Sequence, residues 1–252
     1  TKKQTYKRVN TKITNIMGRA FEFRKARKMK RWSSMAKTFT RIGKDIVIAV
    51  KEGGPNPETN SKLRAVIQNA KTANMPKDNI QRAIKNASEK NTENYKEIVL
   101  EGYGPHGIAV IVDCTTDNNN RTVANIRSYF NKTNGNLGTN GSVEYLFDKL
   151  CVFRIVMFEE YEELEFELID YGLEELVIDD EENEIIIYAK FESFGEIQTI
   201  LEEKNIEIKS SEIEKLPKNT IDLDQEKKGE FESFLEMCDE DDDVQKIHHN
   251  CS

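Results

Sequence analysis

From Trp32 onward the large apolar side chains Trp32, Met35, Phe39, Ile42, Ile46 and Val50 recur at intervals of 3, 4, 3, 4 and 4 residues, the stripe of a helix that buries one face. Ser33 or Ser34 can cap its start, and the run Gly53 to Pro57 ends it. A second stripe follows through Leu63, Val66, Ile67 and Ala70, then the turn Asn74-Met75-Pro76, then a third through Ile80, Ala83, Ile84 and Ala87. Pro76 suits the first position of the third helix, and Asp78 in its first turn complements the positive end of the helix dipole. Three helices of this size predict a small bundle.

After residue 90 the pattern alternates from one residue to the next, as strands do. Glu97–Tyr103 and Gly107–Cys114 read as strands around the turn Gly104-Pro105-His106, followed by a helix through Val123, Ile126, Tyr129 and Phe130 and a strand Ser142–Phe147. Next come a strand Cys151–Phe158, a helix near Glu160–Tyr171, strands near Leu176–Ile178 and Glu184–Ala189, a helix near Ser193–Lys204 and a strand Ile206–Ile213. That β-α-β-β-α-β order is the split βαβ unit, with both helices on one face of an antiparallel sheet. A strand near Ile221, a helix Gln225–Met237 and a strand Val244–His248 then complete the interrupted first sheet. The predicted fold class is therefore α+β and multidomain: an N-terminal helical bundle followed by two α/β ferredoxin-like domains, the third domain inserted in the second. The boundaries are 1–16 for a basic, disordered extension, 17–90 for the helical domain, 91–148 plus 214–252 for the first α/β domain, and 149–213 for the insertion.

Composition changes this picture in one respect. The net charge of -8 hides an asymmetry: residues 1–90 carry 23 Lys and Arg against 6 Asp and Glu, whereas residues 91–252 carry 14 against 39. A cationic module joined to an anionic one points to a polyanion partner, nucleic acid by default, with the acidic half repelled by phosphate. The alternative is a solubilising lysine surface whose halves attract each other. Charged residues make up 33% of the chain and the longest apolar runs are Ile46–Val50 and Ile108–Val112, so no segment spans a membrane. The first 16 residues hold five Lys and Arg, no acid and no apolar core of a secretory signal. Met17 is the expected start and the location cytoplasmic; a mitochondrial presequence in residues 1–16 is the alternative.

The candidate chemistry is correspondingly plain. Arg24, Lys25, Arg27, Lys28, Lys30 and Arg31 are interleaved with Phe21, Phe23, Met29 and Trp32, a composition suited to phosphate contacts and stacking on unpaired bases. Lys37, Arg41, Lys44 and Lys51 fall on a helix face away from the apolar stripe and form an outward basic row. Asn74, Met75 and Pro76 form a candidate functional tip, flanked by Lys71, Lys77 and Arg82, with Met75 folded back as a plug over the bundle as the alternative. The glycines of Asn134–Ser142 lack a phosphate-loop ending and read as turn punctuation; Asp113 and Asp117 read as ordinary residues of a strand-to-helix junction; the acid run Asp239–Asp243 reads as a solvated turn. His248, His249 and Cys251 lack the second ligand pair of a metal site, and Cys114, Cys151, Cys238 and Cys251 read as reduced thiols. No nucleophile and base can be paired, so no catalysis, no cofactor, no metal and no small-molecule substrate is expected.

Several long segments, TANMPKDNIQRAIK, YKEIVLEGYGPHGIAVIVDC, DNNNRTVANIRSYF, GNLGTNGSVEYLF and LPKNTIDL, resemble the YebC/PmpR family in content and order, and the resemblance runs from Met17 onward. It implies a bacterial regulator of gene expression with three domains, the third inserted in the second. Related members have been labelled transcriptional regulators, and others act as translation factors that relieve ribosome stalling at proline-rich stretches. The resemblance thus implies ribosomal or transfer RNA as partner, with DNA as the alternative. Where many members carry G-H-S-K-W-A-N-I-K-H-R-K, this chain has GRAFEFRKARKMKRW; Arg24 and Lys25 match the final pair, while the His and Trp are replaced.

Overall fold

A computed structural model describes residues 35–89 and 94–252. Helix α1 (Met35–Gly53) buries Ile42, Ile46 and Val50 as the stripe predicts; Trp32, Ser33 and Ser34 lie outside the described residues. Asn60 starts α2 (Ser61–Thr72): its side chain accepts the Leu63 N–H at 3.0 Å and donates to the Ala49 and Gly54 carbonyls at 2.7 and 2.8 Å. One buried amide thus caps the second helix and ties it to the end of the first. In α3 (Lys77–Ser88), Pro76 takes the cap position with extended backbone, not the first helical residue as expected from sequence; the fixed ring φ of -57° serves either place. Ile42, Ile46, Leu63, Ala70, Ile80 and Ala87 close the core of the three helices.

The remaining chain forms two four-stranded antiparallel sheets. The first, in order β3-β1-β2-β8, comprises β1 (Lys96–Tyr103), β2 (Ala109–Thr116), β3 (Asn136–Leu137) and β8 (Val244–His249). Helices α4 (Asn119–Lys132) and α7 (Gln225–Asp239) cover one face, packing Ile126, Phe130, Phe231 and Phe234 onto Val110 and Val112. The second sheet, in order β5-β6-β4-β7, comprises β4 (Phe147–Val156), β5 (Leu173–Asp179), β6 (Glu184–Lys190) and β7 (Ile208–Pro217), with Leu164 and Leu168 of α5 (Tyr161–Leu168) and Ile197 and Leu201 of α6 (Phe194–Glu203) on its core face. β6 is buried from Ile185 to Ala189 without alternation, so both faces of the sheet centre are covered.

Two sequence expectations need correction. The third strand of the first sheet is Asn136–Leu137, inside the glycine-rich run, and not Ser142–Phe147. A side chain at Gly102 would collide with the Asn136 carbonyl, so this short strand can approach β1 only because position 102 has none. Glu144–Leu146 is instead a 3-10 turn, and Phe147 opens β4 in the other sheet. Near Ile221 there is a single parallel bridge to Cys251 rather than a strand.

The helices are joined to the sheets by polar side chains. β7 is an edge strand, and α2 lies along it: Asn69 donates to the Ser211 carbonyl at 2.7 Å and accepts the Ser211 N–H at 2.9 Å, as a neighbouring strand would. Gln68 and Thr72 donate to the Ile208 and Lys209 carbonyls, earlier on the same strand. Between the sheets, Lys246 of β8 reaches Glu212 of β7 at 2.6 Å, and Lys215 pairs with Asp113 of β2.

Candidate nucleic-acid interface

The basic row of α1 does not all face outward. Arg41 donates to the Asp239 carboxylate at 2.9 Å and to its carbonyl at 3.1 Å, and Lys37 lies 3.9 Å from the same carboxylate. Lys44 is buried, at 7% exposure, and donates to Asp243 Oδ1 at 3.1 Å and to the carbonyls of Thr115 and Asp242 at 3.0 and 2.7 Å. Its ammonium also sits 5.3 Å from the centre of the Tyr95 ring. The expectation that Lys44 lies on an outward face fails because a carboxylate with three further donors waits beneath it.

That carboxylate belongs to the run read from sequence as a solvated turn. Asp243 is 5% exposed, and its Oδ2 accepts from Arg121 at 2.7 Å, Thr122 at 2.8 Å and Thr116 at 3.1 Å. Asp241 accepts from Asn125 and Tyr129, both at 3.0 Å. Burial alone would push the Asp243 carboxyl up, but the hydrogen bonds from Arg121, Thr122 and Lys44 outweigh it and lower it to about 2. The run is a structural hub that joins α1, β2, α4 and β8. Nothing in the run distinguishes Asp243 from its acidic neighbours until the fold brings Lys44, Thr116 and Thr122 beside it.

The cations that remain exposed cluster elsewhere. Lys71 in the last turn of α2, and Lys77 and Arg82 on α3, are exposed and make no ion pair among the described residues. Lys85, unremarked in the sequence, shares these properties and lies three residues beyond Arg82, on the same side of α3. Lys51 is exposed in the last turn of α1. Asn74, with φ of 59°, and Pro76 are exposed at the turn, whereas Met75 is half-buried and packs on the helical core. The plug reading of Met75 therefore matches its position. Arg24, Lys25, Arg27, Lys28, Lys30 and Arg31 lie outside the described residues.

The other weighed residues have structural partners. Asn118 caps α4 by accepting the Arg121 N–H at 3.2 Å, and Asp117 pairs with Arg121 at 2.8 Å. His248 is 1% exposed; its Nε2 faces Asp113 at 3.0 Å while its Nδ1 accepts the Lys215 N–H at 3.3 Å, which makes it a neutral ring donating to Asp113. All four cysteines are buried thiols outside any disulfide among the described residues, and burial pushes the Cys151 thiol up to about 11 and that of Cys238 to about 12. No helix among the described residues is long and apolar enough to cross a membrane.

Comparison with known proteins accounts for nearly the whole chain. Residues 19–90 match the family model of the TACO1/YebC protein N-terminal domain, and residues 95–251 match that of the TACO1/YebC second and third domain. A "probable transcriptional regulatory protein" of Flavobacterium johnsoniae is 64% identical over 234 residues, covering 92% of this chain and 98% of that protein. One of the same name from Porphyromonas gingivalis is 53% identical over 236 residues, covering 93% and 97%. The crystal structure of a conserved hypothetical protein from Aquifex aeolicus superposes with a TM-score of 0.74 at 37% identity, covering 89% of this chain and 93% of that one. With both models matched in order and relatives this similar along their length, the chain belongs to the TACO1/YebC family.

Proposed function

We propose that this chain is a non-enzymatic, RNA-binding translation factor that acts on ribosomal or transfer RNA in the cytoplasm and eases ribosome stalling. The observation that carries the reading is the division of labour among its cations: Lys37, Arg41 and Lys44 of α1 are held by Asp239 and Asp243, while Lys71, Lys77, Arg82 and Lys85 are exposed without an ion-pair partner among the described residues. Exposed cations left without carboxylates on α2 and α3 suit a phosphate backbone, and the basic segment Arg24–Arg31 adds to the charge of the same domain. In this reading the helical domain 17–90 is the gripping element, with the turn Asn74–Pro76 beside the grip, and the α/β domains, 91–148 plus 214–252 with 149–213 inserted, hold it in place.

The second reading is a DNA-binding regulator of transcription, favoured by the names of the relatives. Sedimentation of the full chain with ribosomes, before and after RNase or DNase treatment, separates the two. RNase-sensitive co-sedimentation is expected; retention that only DNase abolishes would make the second reading correct. For the full chain binding single-stranded RNA, changing Lys77, Arg82 and Lys85 to Glu should flatten the log-log salt slope by about 2, at about 0.7 per phosphate contact.

A further inference from the structure

The acidic half contains one stretch that breaks its own rule. Residues 118–143 hold no Asp or Glu, although residues 91–252 carry 39 of them, and the same 26 positions hold Arg121, Arg127, Lys132 and eight asparagines. Most of this stretch is α4, and its outer side is a stripe of Asn120, Ala124, Arg127 and Asn131 at spacings of 4, 3 and 4, all exposed. Lys132 is exposed beside the stripe, its ammonium 5.9 Å from the centre of the Tyr129 ring.

Some polar groups of the stretch have structural work. Asn118 caps the helix, Asn125 donates to Asp241, and Arg121 is held by Asp117 and Asp243. Asn120, Arg127 and Asn131 make no side-chain hydrogen bond or ion pair among the described residues. Asparagine is among the poorer helix formers, and an alanine at 120 or 131 would serve the helix better. Asp117 is engaged by Arg121 and Asp241 by Asn125 and Tyr129, while Glu240 lies near Tyr129 at the edge of this surface. The face therefore presents a guanidinium, an ammonium and two amides on a helix that carries no acid of its own.

We propose that the outer face of α4 is a second RNA contact, separate from the cations of α2 and α3, in which Arg127 and Lys132 take phosphates and Asn120 and Asn131 take ribose 2′-hydroxyls or base edges. The inference deepens the RNA-binding reading and rests on it. Arginine and lysine supply the sequence-independent charge, and a side-chain amide, both donor and acceptor, can bond a 2′-hydroxyl that DNA lacks. The acidic surroundings then help by keeping the strand on this track, since phosphate is repelled elsewhere on the same half.

The test uses the full chain and a fluorescein-labelled 30-nucleotide single-stranded RNA of mixed sequence, with DNA of the same sequence alongside. Arg127→Glu with Lys132→Glu should weaken RNA binding at least fivefold and flatten its salt slope, with an unchanged far-UV helix signal. Asn120→Ala with Asn131→Ala should leave the salt slope alone, reduce the preference for RNA over DNA at least threefold, and leave the melting temperature equal or higher. If the chain binds RNA and both double variants bind it like the parent, the α4 contact is wrong while the RNA-binding reading stands. If the parent chain does not bind the RNA at all, that reading falls and the inference with it.

Discussion

Two carboxylates beside Lys44 are shifted in opposite directions. Asp243 is lowered to about 2, so its ionised form is worth more folded than unfolded, where an ordinary Asp titrates near 4. Its contribution is present above about pH 4 and lost as the pH falls toward 2. Asp243→Asn should cost about 3 kcal/mol at pH 7, because Lys44 is then left buried beside a neutral amide, and urea titrations at pH 7 and pH 3 should show the deficit shrinking. Asp45 on α1 behaves in the opposite sense. Burial, then the charge of Glu97, pushes its carboxyl up to about 7, against the pull of Lys62, Arg41 and Lys44. Ionising it therefore penalises the folded state: stability is full below about pH 4 and declines as the pH rises through 7. Asp45→Asn should raise the melting temperature at pH 8 and change it little at pH 3. A gain that is equal at both would show that Asp45 titrates normally.

Elements were legible where one period served one partner. The stripe Ile42, Ile46, Val50 and the alternation of β1 could be read directly, because each buries one face against an apolar neighbour, and β2 showed itself as a short apolar run buried on both faces. β3 could not, since two residues are too few to show a period and its place is set by the missing side chain at Gly102. The pairing of α2 with β7 was equally hidden: Asn69 looks like any exposed helical asparagine until Ser211 is beside it, more than a hundred positions along the chain. Asn69→Ala should cost about 1 to 3 kcal/mol and speed hydrogen exchange at the Ser211 amide, since both groups of an edge strand lose their partner. Met75→Ser should lower the melting temperature, because the side chain packs on the core of the three helices. Normal stability with impaired RNA binding would instead give Met75 a role at the tip.

For the whole molecule, charge asymmetry is both an address and an adhesive. The sequence predicts that the cationic third seeks a polyanion; part of that charge is satisfied within the chain, by Asp239 and Asp243. Helical projection can show that Arg41 and Lys44 lie off the apolar stripe but not which of them finds a carboxylate from the far end of the sequence. Reversing both to Glu should therefore loosen the docking of α1 first, seen as a lower melting temperature, with weaker RNA binding a consequence of lost structure. The same double change with full stability would return these two cations to the RNA-binding surface.

The pairing of β8 with β2 also sets a timetable. A chain made from its amino end presents β2 long before Val244–His249 exist, so the strand that will hold Val110 and Val112 in the core waits with one edge open. Lys44 waits too, because Asp243 emerges just ahead of β8. The second sheet suffers no such delay, since its four strands are complete once Pro217 has been added. During synthesis the later sheet in the sequence can thus close before the earlier one, and the nascent chain passes through a stage in which an apolar strand edge and the seat of Lys44 depend on residues not yet translated.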